Sequence, residues 1–482
     1  MKQSEPDFFK NIRAELSSGR LWADRAVVLV CAVAAGLLVV GFTLASNLAF
    51  DLFQRIHGTN RWFALVWTPA VTALVVWLTR RYFPGAAGSG IPQVMAALDP
   101  ELPSHERSRF VSLKLSFGKV GLAVAGLAGG LSIGREGPSV QVAAGVMQYA
   151  QRWLGPNTGI SAHALLVAGG AAGIAATFNA PLAGVVFAIE ELSRKLESHN
   201  SGLIIAAIVL AGLTGVSVFG NFTYFGVIQV PKLDFDVLLP GFMVAIGSGA
   251  LGGLFSRVMT ESLIGPHERL NRWRKRWPIL FAAAAGLLIA CIGLASGGAT
   301  FGSGSDAVSH MLASQSDLPM LFALLKFFAT WLTAWAGMPG GIFAPSLAIG
   351  AGIGNDVATL TGVVHAAPLI AMGMAGFLAA VTQAPLTAFI IVMEMVDGHS
   401  MVLTLMISAM LASVTSRLVS RPLYVALSEH MVQMVIAPPS EEPEPAEAEA
   451  GKTADASADD PASALADAEV AVVPPTDRPA GG

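Results

Sequence analysis

Two short segments decide the fold of this chain: Gly134-Arg135-Glu136-Gly137-Pro138-Ser139 and, 207 residues later, Gly341-Ile342-Phe343-Ala344-Pro345-Ser346. They share a glycine, a proline and a serine at the same spacing. A second pair repeats in the same order at an offset of 204: Ala180-Pro181-Leu182 followed by Glu190, and Ala384-Pro385-Leu386 followed by Glu394. Two matches at nearly one spacing predict a duplicated unit of about 200 residues.

The sequence around these segments is strongly apolar. Of 482 residues, 54% are hydrophobic and only 13% are charged, with 51 glycines and a mean hydropathy of +0.61. Soluble domains carry about 25% charged residues, so this composition excludes a soluble enzyme and a nucleic-acid partner. The two cysteines, Cys31 and Cys291, lie in apolar runs, which excludes a disulfide scaffold.

The apolar runs predict a polytopic membrane protein. Residues 26–48 carry no charge over about the length that crosses ~30 Å of hydrocarbon. The later runs are too unequal for simple spans, because glycine and proline interrupt them, as in Gly88-Ser89-Gly90-Ile91-Pro92. A broken backbone persists in a membrane only inside protein or beside a wet cavity, so several helices are expected to be short, tilted or broken.

Charge divides the chain into five predicted parts. By the positive-inside rule, basic residues 1–25 form a cytoplasmic segment and 220–237 an external connection. The first membrane repeat is then 26–219 and the second is 238–437. Because the repeats start from opposite faces, we predict an all-α fold of two inverted repeats. Residues 438–482, rich in alanine, proline and acids, are expected to be a disordered acidic tail.

The helix breaks predict an anion site. Each break precedes a helix-forming run, which places a helix N-terminus with unpaired N–H groups and about half a positive charge inside the membrane. Several such ends can hold an anion without a full positive charge, which would bind it too tightly for release. The nine histidines show no paired ligand spacing, so no metal or cofactor is expected.

Three of these breaks resemble the signatures of the CLC family of chloride channels and chloride/proton antiporters, in its bacterial form without CBS domains. They read Gly88–Pro92, Gly134–Pro138 and Gly341–Pro345, and the resemblance covers about residues 20–436. It implies the CLC fold, a homodimer in the lipid bilayer, a multi-pass location in the cell inner membrane, and transport of chloride and protons. The implied anion-binding residues are Ser89, Gly90, Ile91, Gly134, Arg135, Gly137, Ile342, Phe343, Ala344 and Tyr424.

Glu136 is the acid of the second signature. Acids inside a membrane are usually functional, although its carboxylate could instead be satisfied by Arg135 or by backbone. The resemblance implies that Glu136 is the gating glutamate, which competes with the anion and swings away when protonated. Its repeat partner Phe343 cannot ionise, so only one repeat would carry the gate.

Two hydroxyl groups are candidate anion ligands. Ser89 can donate one hydrogen bond, or it can be an ordinary helix N-cap. By resemblance, serine here implies preference for chloride, where nitrate-preferring members have proline and fluoride-type members methionine. Tyr424 resembles the family's inner-site tyrosine, and the alternative is a tyrosine of the membrane interface.

Glu190 and Glu191 end the apolar helix that starts at Pro181. Adjacent residues on a helix point about 100° apart, so at most one should face a given cavity, and both could simply be solvated. The resemblance implies that Glu191 is the inner proton-transfer acid of antiporters, where channels usually have an apolar residue. Together with Glu136 it predicts antiport, and an uncoupled voltage- or pH-gated chloride channel of the same fold is the alternative.

A rival from another class is an intramembrane serine hydrolase. Gly130-Leu131-Ser132-Ile133-Gly134 fits the nucleophile-elbow pattern. Patterns this short arise by chance in a chain with 51 glycines. The prediction is therefore that the chain is not an enzyme and has no catalytic residue.

Overall fold

The chain is all-helical in the computed structural model, which describes residues 19–155, 158–193, 201–220, 224–225, 237–265, 268–313 and 319–436. In these residues the only β-structure is a pair of isolated bridges. The eighteen α-helices are α1 Gly19–Thr59, α2 Ala64–Tyr82, α3 Ile91–Leu98, α4 Leu113–Ala128, α5 Glu136–Ala150, α6 Ala162–Phe178, α7 Pro181–Phe187, α8 Ser201–Phe219, α9 Leu238–Leu263, α10 Glu268–Arg276, α11 Pro278–Ala295, α12 Ser305–Leu312, α13 Phe322–Trp335, α14 Phe343–Thr361, α15 Ala367–Thr382, α16 Pro385–Met395, α17 Val402–Arg417 and α18 Leu423–Ile436.

Seven helical stretches are long and apolar enough to cross a membrane: Gly19–Thr59, Arg61–Tyr82, Glu106–Ala128, Ser201–Phe219, Leu238–Leu263, Pro278–Ala295 and His399–Arg417. Five shorter apolar helices, among them α6, α13 and α15, have 10 to 17 residues. At 1.5 Å per residue these reach at most about 26 Å, less than the hydrocarbon thickness. The predicted mixture of full spans and short helices is confirmed.

The first helix is longer than the sequence indicated. It begins at Gly19, inside the segment expected to precede the membrane, and continues for 41 residues. Its first turns pack on the protein, since the buried Asp24 carboxylate accepts a hydrogen bond from Gly155 N at 3.2 Å. Residues 19–25 are therefore helical.

The two halves are related as inverted repeats. Helices α4 to α8 recur as α13 to α17 in the same order, with starts 201 to 209 residues apart. Equivalent residues exchange equivalent bonds, because Gly134 N donates to Gly341 O at 2.7 Å and Gly341 N donates to Gly134 O at 2.8 Å. Such reciprocity is what a two-fold axis produces. Helix α18 follows the second repeat, and the described residues of the first repeat contain no counterpart to it.

Helices α6 and α15 form the centre of the fold. Fifteen of the 17 residues of α6 and fifteen of the 16 of α15 are buried. Small residues make this possible, because a Cβ on Gly173 would lie 2.5 Å from Ser139 O, and Gly350 and Gly373 meet backbone to backbone. Close packing of this kind brings α5 against α6 and α14 against α15, which holds the first turns of α5 and α14 inside the protein.

The segment 220–237, which the sequence predicts to be an external connection, is described only in part. Its residues Gly220, Tyr224, Phe225 and Val237 are placed, and Phe225 N donates to Met395 O at 2.9 Å. The Tyr224 ring packs edge-on against Phe178 at 6.1 Å. Residues 1–18 and the acidic tail 438–482 lie outside the described residues.

Candidate functional site

The three signature segments form one hydrogen-bonded backbone network. Besides the Gly134–Gly341 pair, Gly88 N donates to Met338 O at 3.2 Å and Gly340 N donates to Gly88 O at 3.1 Å. Helices α3, α5 and α14 begin directly after these bonds, at Ile91, Glu136 and Phe343. Three helix N-termini therefore meet in the middle of the protein, and their partial positive charges favour an anion there.

Glycines allow this close approach. Gly88 and Gly90 have φ of 77° and 117°, which L side chains rarely adopt. A Cβ on Gly90 would collide with Gly137 O, and one on Gly137 would collide with Ser89 Oγ. Of the predicted residues, Gly134 takes part in the backbone network through its N–H and its carbonyl. The others lie at the starts of α3, α5 and α14: Gly90, Ile91, Gly137, Ile342 and Ala344. The Phe343 ring packs on Phe178 at 6.0 Å.

The Glu136 carboxylate lies between two of the helix ends. The residue is 0% exposed, and Oε2 accepts a hydrogen bond from Ala344 N at 3.4 Å. Its Oε1 has no hydrogen-bond partner among the described residues. Glu136 is the first residue of α5 and Ala344 lies in the first turn of α14, so the carboxylate occupies the position that the convergent N–H groups favour for an anion.

Arg135 does not form an ion pair with Glu136 in the described part of the chain. Its guanidinium donates to Asn47 Oδ1 and, at 2.9 Å, to the Tyr224 hydroxyl. It lies over the Tyr224 ring at 5.6 Å and borders a polar cavity of about 360 Å³ that also includes Ser303 and Asp306. Arg135 therefore acts on Glu136 through its charge rather than through a direct bond.

Ser89 and Tyr424 present two unpaired hydroxyls at the same site. They are 7% and 1% exposed, and neither oxygen has a hydrogen-bond partner within the described ranges. The Tyr424 hydroxyl lies next to the Ser89 side chain and within electrostatic reach of Glu136 and Glu191. A buried hydroxyl without a partner costs about 1–3 kcal/mol, so an anion that accepts from both would offset this cost.

The alternative interpretations of these two residues do not fit the geometry. The N-cap of α3 is Gly90, whose N–H donates to Gln93 Oε1 at 2.8 Å, so Ser89 does not cap the helix. Tyr424 is fully buried in the first turn of α18, whereas an interface tyrosine would be exposed.

Two buried lysines that the sequence analysis did not single out donate hydrogen bonds to loop carbonyls, one in each repeat. Lys119 Nζ donates to Ala86 O at 2.7 Å and to Gly88 O at 2.6 Å. Lys326 Nζ donates to Thr300 O at 3.0 Å and to Gly302 O at 2.7 Å. The lysines are 207 residues apart, and Gly302-Ser303-Gly304 repeats Gly88-Ser89-Gly90. This third match between the repeats is the sequence pattern from which the two lysines could have been identified.

Lys119→Met is expected to weaken both the fold and chloride binding. The variant leaves the carbonyls of Ala86 and Gly88 without a donor, at about 1–3 kcal/mol each, and so loosens the backbone that positions Ser89. Lys326→Met is the matched control, because it removes the equivalent bonds in the other repeat. Thermal unfolding at increasing chloride should show lower stability for both variants and a reduced chloride-induced rise only for Lys119→Met. Equal chloride responses would contradict a role of Lys119 at the anion site.

Glu190 and Glu191 have different surroundings in the structure. Glu190 accepts from Leu386 N at 3.1 Å and Thr387 N at 2.6 Å, at the start of α16. Reciprocally, Glu394 accepts from Leu182 N at 3.3 Å and Ala183 N at 2.7 Å, at the start of α7. Glu190 is thus an interhelical cap, which joins the two repeats.

Glu191 lies on a π-helical turn, Ala188–Leu192, that continues α7. Such turns re-aim side chains and often occur at functional sites. Glu191 is close enough to the Tyr424 hydroxyl to interact with it electrostatically. Of the pair, Glu191 is the one that interacts with the Tyr424 hydroxyl.

Ser132 has a structural partner. Its hydroxyl is hydrogen-bonded to the Thr330 hydroxyl at 2.9 Å, and Thr330 donates in turn to Lys326 O at 2.7 Å. A serine nucleophile needs a base within hydrogen-bond reach, and threonine does not supply one. The Ser132–Thr330 bond therefore serves to connect α13 to the second signature segment.

The chain is similar to known proteins over most of its length. Residues 71–417 match the family model described as voltage gated chloride channel. A slow cyanobacterial Cl⁻/H⁺ antiporter is 25% identical, with a TM-score of 0.73 over 85% of this chain and 98% of its own. A CLC-type fluoride/proton antiporter is 22% identical, with a TM-score of 0.70 over 85% of this chain and 98% of its own.

A eukaryotic CLC transporter also shares the fold, at 23% identity and a TM-score of 0.68 over 85% of this chain and 74% of its own. The family match covers more than two thirds of the chain and contains all three signature segments. The resemblance carried by those segments is confirmed: this chain belongs to the CLC family of voltage gated chloride channels and transporters.

Proposed function

We propose that this protein exchanges chloride for protons across the cell inner membrane, with Glu136 as the gate. The observation that carries the proposal is the position of the Glu136 carboxylate, fully buried between the first turns of α5 and α14 with Ala344 N as its donor. The antiporter of similar structure supports the same function.

The geometry supplies a mechanism for coupling. The ionised carboxylate of Glu136 is stabilised by the partial positive charge of the helix ends. It therefore excludes an anion from the same position. Protonation removes the negative charge of Glu136, and its side chain moves out of the site. An anion then accepts hydrogen bonds from the N–H groups in its place. Ser89 and Tyr424 then donate to the anion on its inward path. Because proton and anion alternate at one position, movement of each depends on the other.

Glu191 favours exchange over passive conduction. A proton that reaches Glu136 needs a route that the anion does not occupy, and the site beside Tyr424 is an anion site. Glu191 is partly exposed on its π-helical turn and lies within electrostatic reach of that site. It therefore offers a separate acceptor for protons on the inner side. In the alternative function, an uncoupled gated channel, Glu191 would have no role.

Reversal potentials test this proposal directly. Purified protein in planar bilayers or liposomes is placed under combined chloride and proton gradients. An antiporter shifts its reversal potential when only the proton gradient changes, while a channel follows chloride alone. A potential insensitive to pH would replace the proposal with the channel.

The anion preference is expected to depend on Ser89. Its unpaired buried hydroxyl offers one hydrogen bond, worth about 0.5–1.5 kcal/mol, which a compact chloride needs more than a planar anion with spread charge. Ser89→Pro should therefore raise the nitrate-to-chloride permeability ratio by up to about tenfold. Ser89→Ala separates loss of the hydroxyl from the backbone change, and Ser303→Ala, at the repeat-equivalent position, is the control. If the nitrate-to-chloride permeability ratio is unchanged in both Ser89 variants as well as in the control, Ser89 does not determine the anion selectivity.

Topology and assembly complete the proposal. The inner face carries the basic residues of α10 and of the turns after α2, as the positive-inside rule requires. Residues 220–237 are then external. We propose a homodimer, the assembly implied by the family resemblance, and no enzymatic activity, because Ser132 is paired with Thr330.

A further inference from the structure

A second basic cavity lies at the proposed inner face, apart from the transport site. Arg80 at the end of α2 and Arg274 of α10 border a cavity of about 360 Å³. The cavity also touches Ala87 and Gly337, which directly precede the first signature segment and the Met338 carbonyl that Gly88 bonds. It is therefore next to the backbone network of the transport site without containing its ligating groups.

The two arginines have no acidic partner in the described part of the chain. Two other arginines do pair with acids, Arg257 with Glu261 and Arg421 with Glu429, both at 3.0 Å. Burial and the neighbouring charge of Arg80 instead lower the pKa of Arg274. Two guanidinium groups that repel each other at a half-buried cavity are stabilised when an anion lies between them.

Two hydrogen bonds fix the position of the Arg274 guanidinium at the cavity. Its Nη1 donates to Ser262 O at 3.4 Å and to Trp335 O at 3.3 Å, while the other guanidinium nitrogens stay available. The first turn of α11 also reaches the cavity at Pro278, and its N-cap Trp277 makes no side-chain cap bond. A fixed guanidinium and a helix N-terminus are both groups that bind phosphate.

The surroundings place this cavity at the membrane–water interface. Trp77, Tyr82, Trp273 and Trp277 are all substantially exposed on the adjoining segments, as aromatic residues at the headgroup level are. The cavity volume falls in the range of small-molecule sites, about 300–1,000 Å³. This space suits a polyatomic anion rather than a single chloride ion.

We infer that Arg80 and Arg274 form a binding site for a phosphate group at the inner face, separate from the transport site. The phosphate can belong to an anionic lipid headgroup or to a soluble phosphate. Because Arg274 bonds the carbonyl of Trp335, the last residue of α13, occupancy of the site acts on the segment that leads into the third signature. The site does not depend on whether the protein is an antiporter or a channel.

Binding to the purified full-length protein tests the site without measuring transport. Inorganic phosphate is titrated by calorimetry into protein in phosphatidylcholine nanodiscs, and phosphatidylglycerol retention is measured by native mass spectrometry. A charge-assisted hydrogen bond is worth about 1.5–3 kcal/mol, so Arg80→Gln and Arg274→Gln should each weaken binding by about tenfold or more. Arg81→Gln is the matched control, since Arg81 is adjacent, lies over Tyr82 and does not border the cavity.

The binding results distinguish the two sources of the phosphate group. Phosphate binding that both cavity variants weaken identifies a soluble ligand, and phosphatidylglycerol retention that both weaken identifies a lipid. If neither probe binds, or if Arg81→Gln weakens binding equally, the site is overturned. If Arg274→Gln does not fold, Arg80→Gln decides the result, because Arg80 is exposed and its replacement leaves the core intact.

Discussion

Glu136→Gln is expected to abolish chloride-driven proton uptake while chloride still crosses the membrane. Glutamine has the shape of the protonated acid but cannot carry a proton or the negative charge that competes with the anion. With that charge gone, the N–H groups at the starts of α5 and α14, including Ala344 N, are left for chloride. Proton uptake into liposomes should fall to the level without protein.

The same variant should lose its response to external pH. Under the proposed gating, lower external pH protonates Glu136 in the wild type and opens the site, so chloride flux should rise as pH falls. In Glu136→Gln the flux should be the same across this range. Glu261→Gln, an exposed acid paired with Arg257 at 3.0 Å, is the control and should behave as wild type. Proton uptake at the wild-type rate in Glu136→Gln would show that another group carries the proton.

Glu191→Gln is expected to stop proton coupling while the outer gate continues to work. The variant keeps Glu136, Ser89 and Tyr424, so anion transport and its dependence on external pH should persist. What it removes is the carboxylate on the π-helical turn beside Tyr424. Proton uptake against a gradient should fall to background, measured as proton flux per chloride in the same liposomes.

Glu190→Gln is the matched comparison, one residue away. The Glu190 carboxylate caps α16 through Leu386 N and Thr387 N, so its replacement should cost about 0.5–2 kcal/mol of stability and leave coupling intact. Coupling lost in Glu190→Gln but kept in Glu191→Gln would reverse the assignment within the pair. Coupling kept in both would favour the channel.

Several features of the site could be predicted because they are local. Clustered glycine and proline break helices, so Gly88–Pro92 and the two later signature segments were expected to begin new helices. Their recurrence at 207 residues, with Glu190 and Glu394 at 204, predicted the duplicated fold. An acid in such a segment, Glu136, was recognisable because charges are rare inside a membrane.

Other features depended on which residues meet across the fold. The reciprocal caps formed by Glu190 and Glu394 need α7 and α16 side by side. Lys119 and Lys326 appear in sequence as isolated charges in apolar helices, and only the folded loops show the carbonyls of Gly88 and Gly302 to which they donate. The paired arginines of the inner cavity come from α2 and α10, which are far apart in sequence.

The sequence by itself determined the membrane class, the duplication, the places where the signature helices begin, and the position of an acid, Glu136, in the second signature segment, since each follows from composition, periodicity or backbone chemistry within a few residues. Only the tertiary structure decided that the three signature segments join through Gly88, Gly134 and Gly341, that Arg135 turns away from Glu136, and that Glu190 is a cap. Hydrogen bonds need partners within about 3.5 Å, and close packing of α6 and α15 is what brings those partners together.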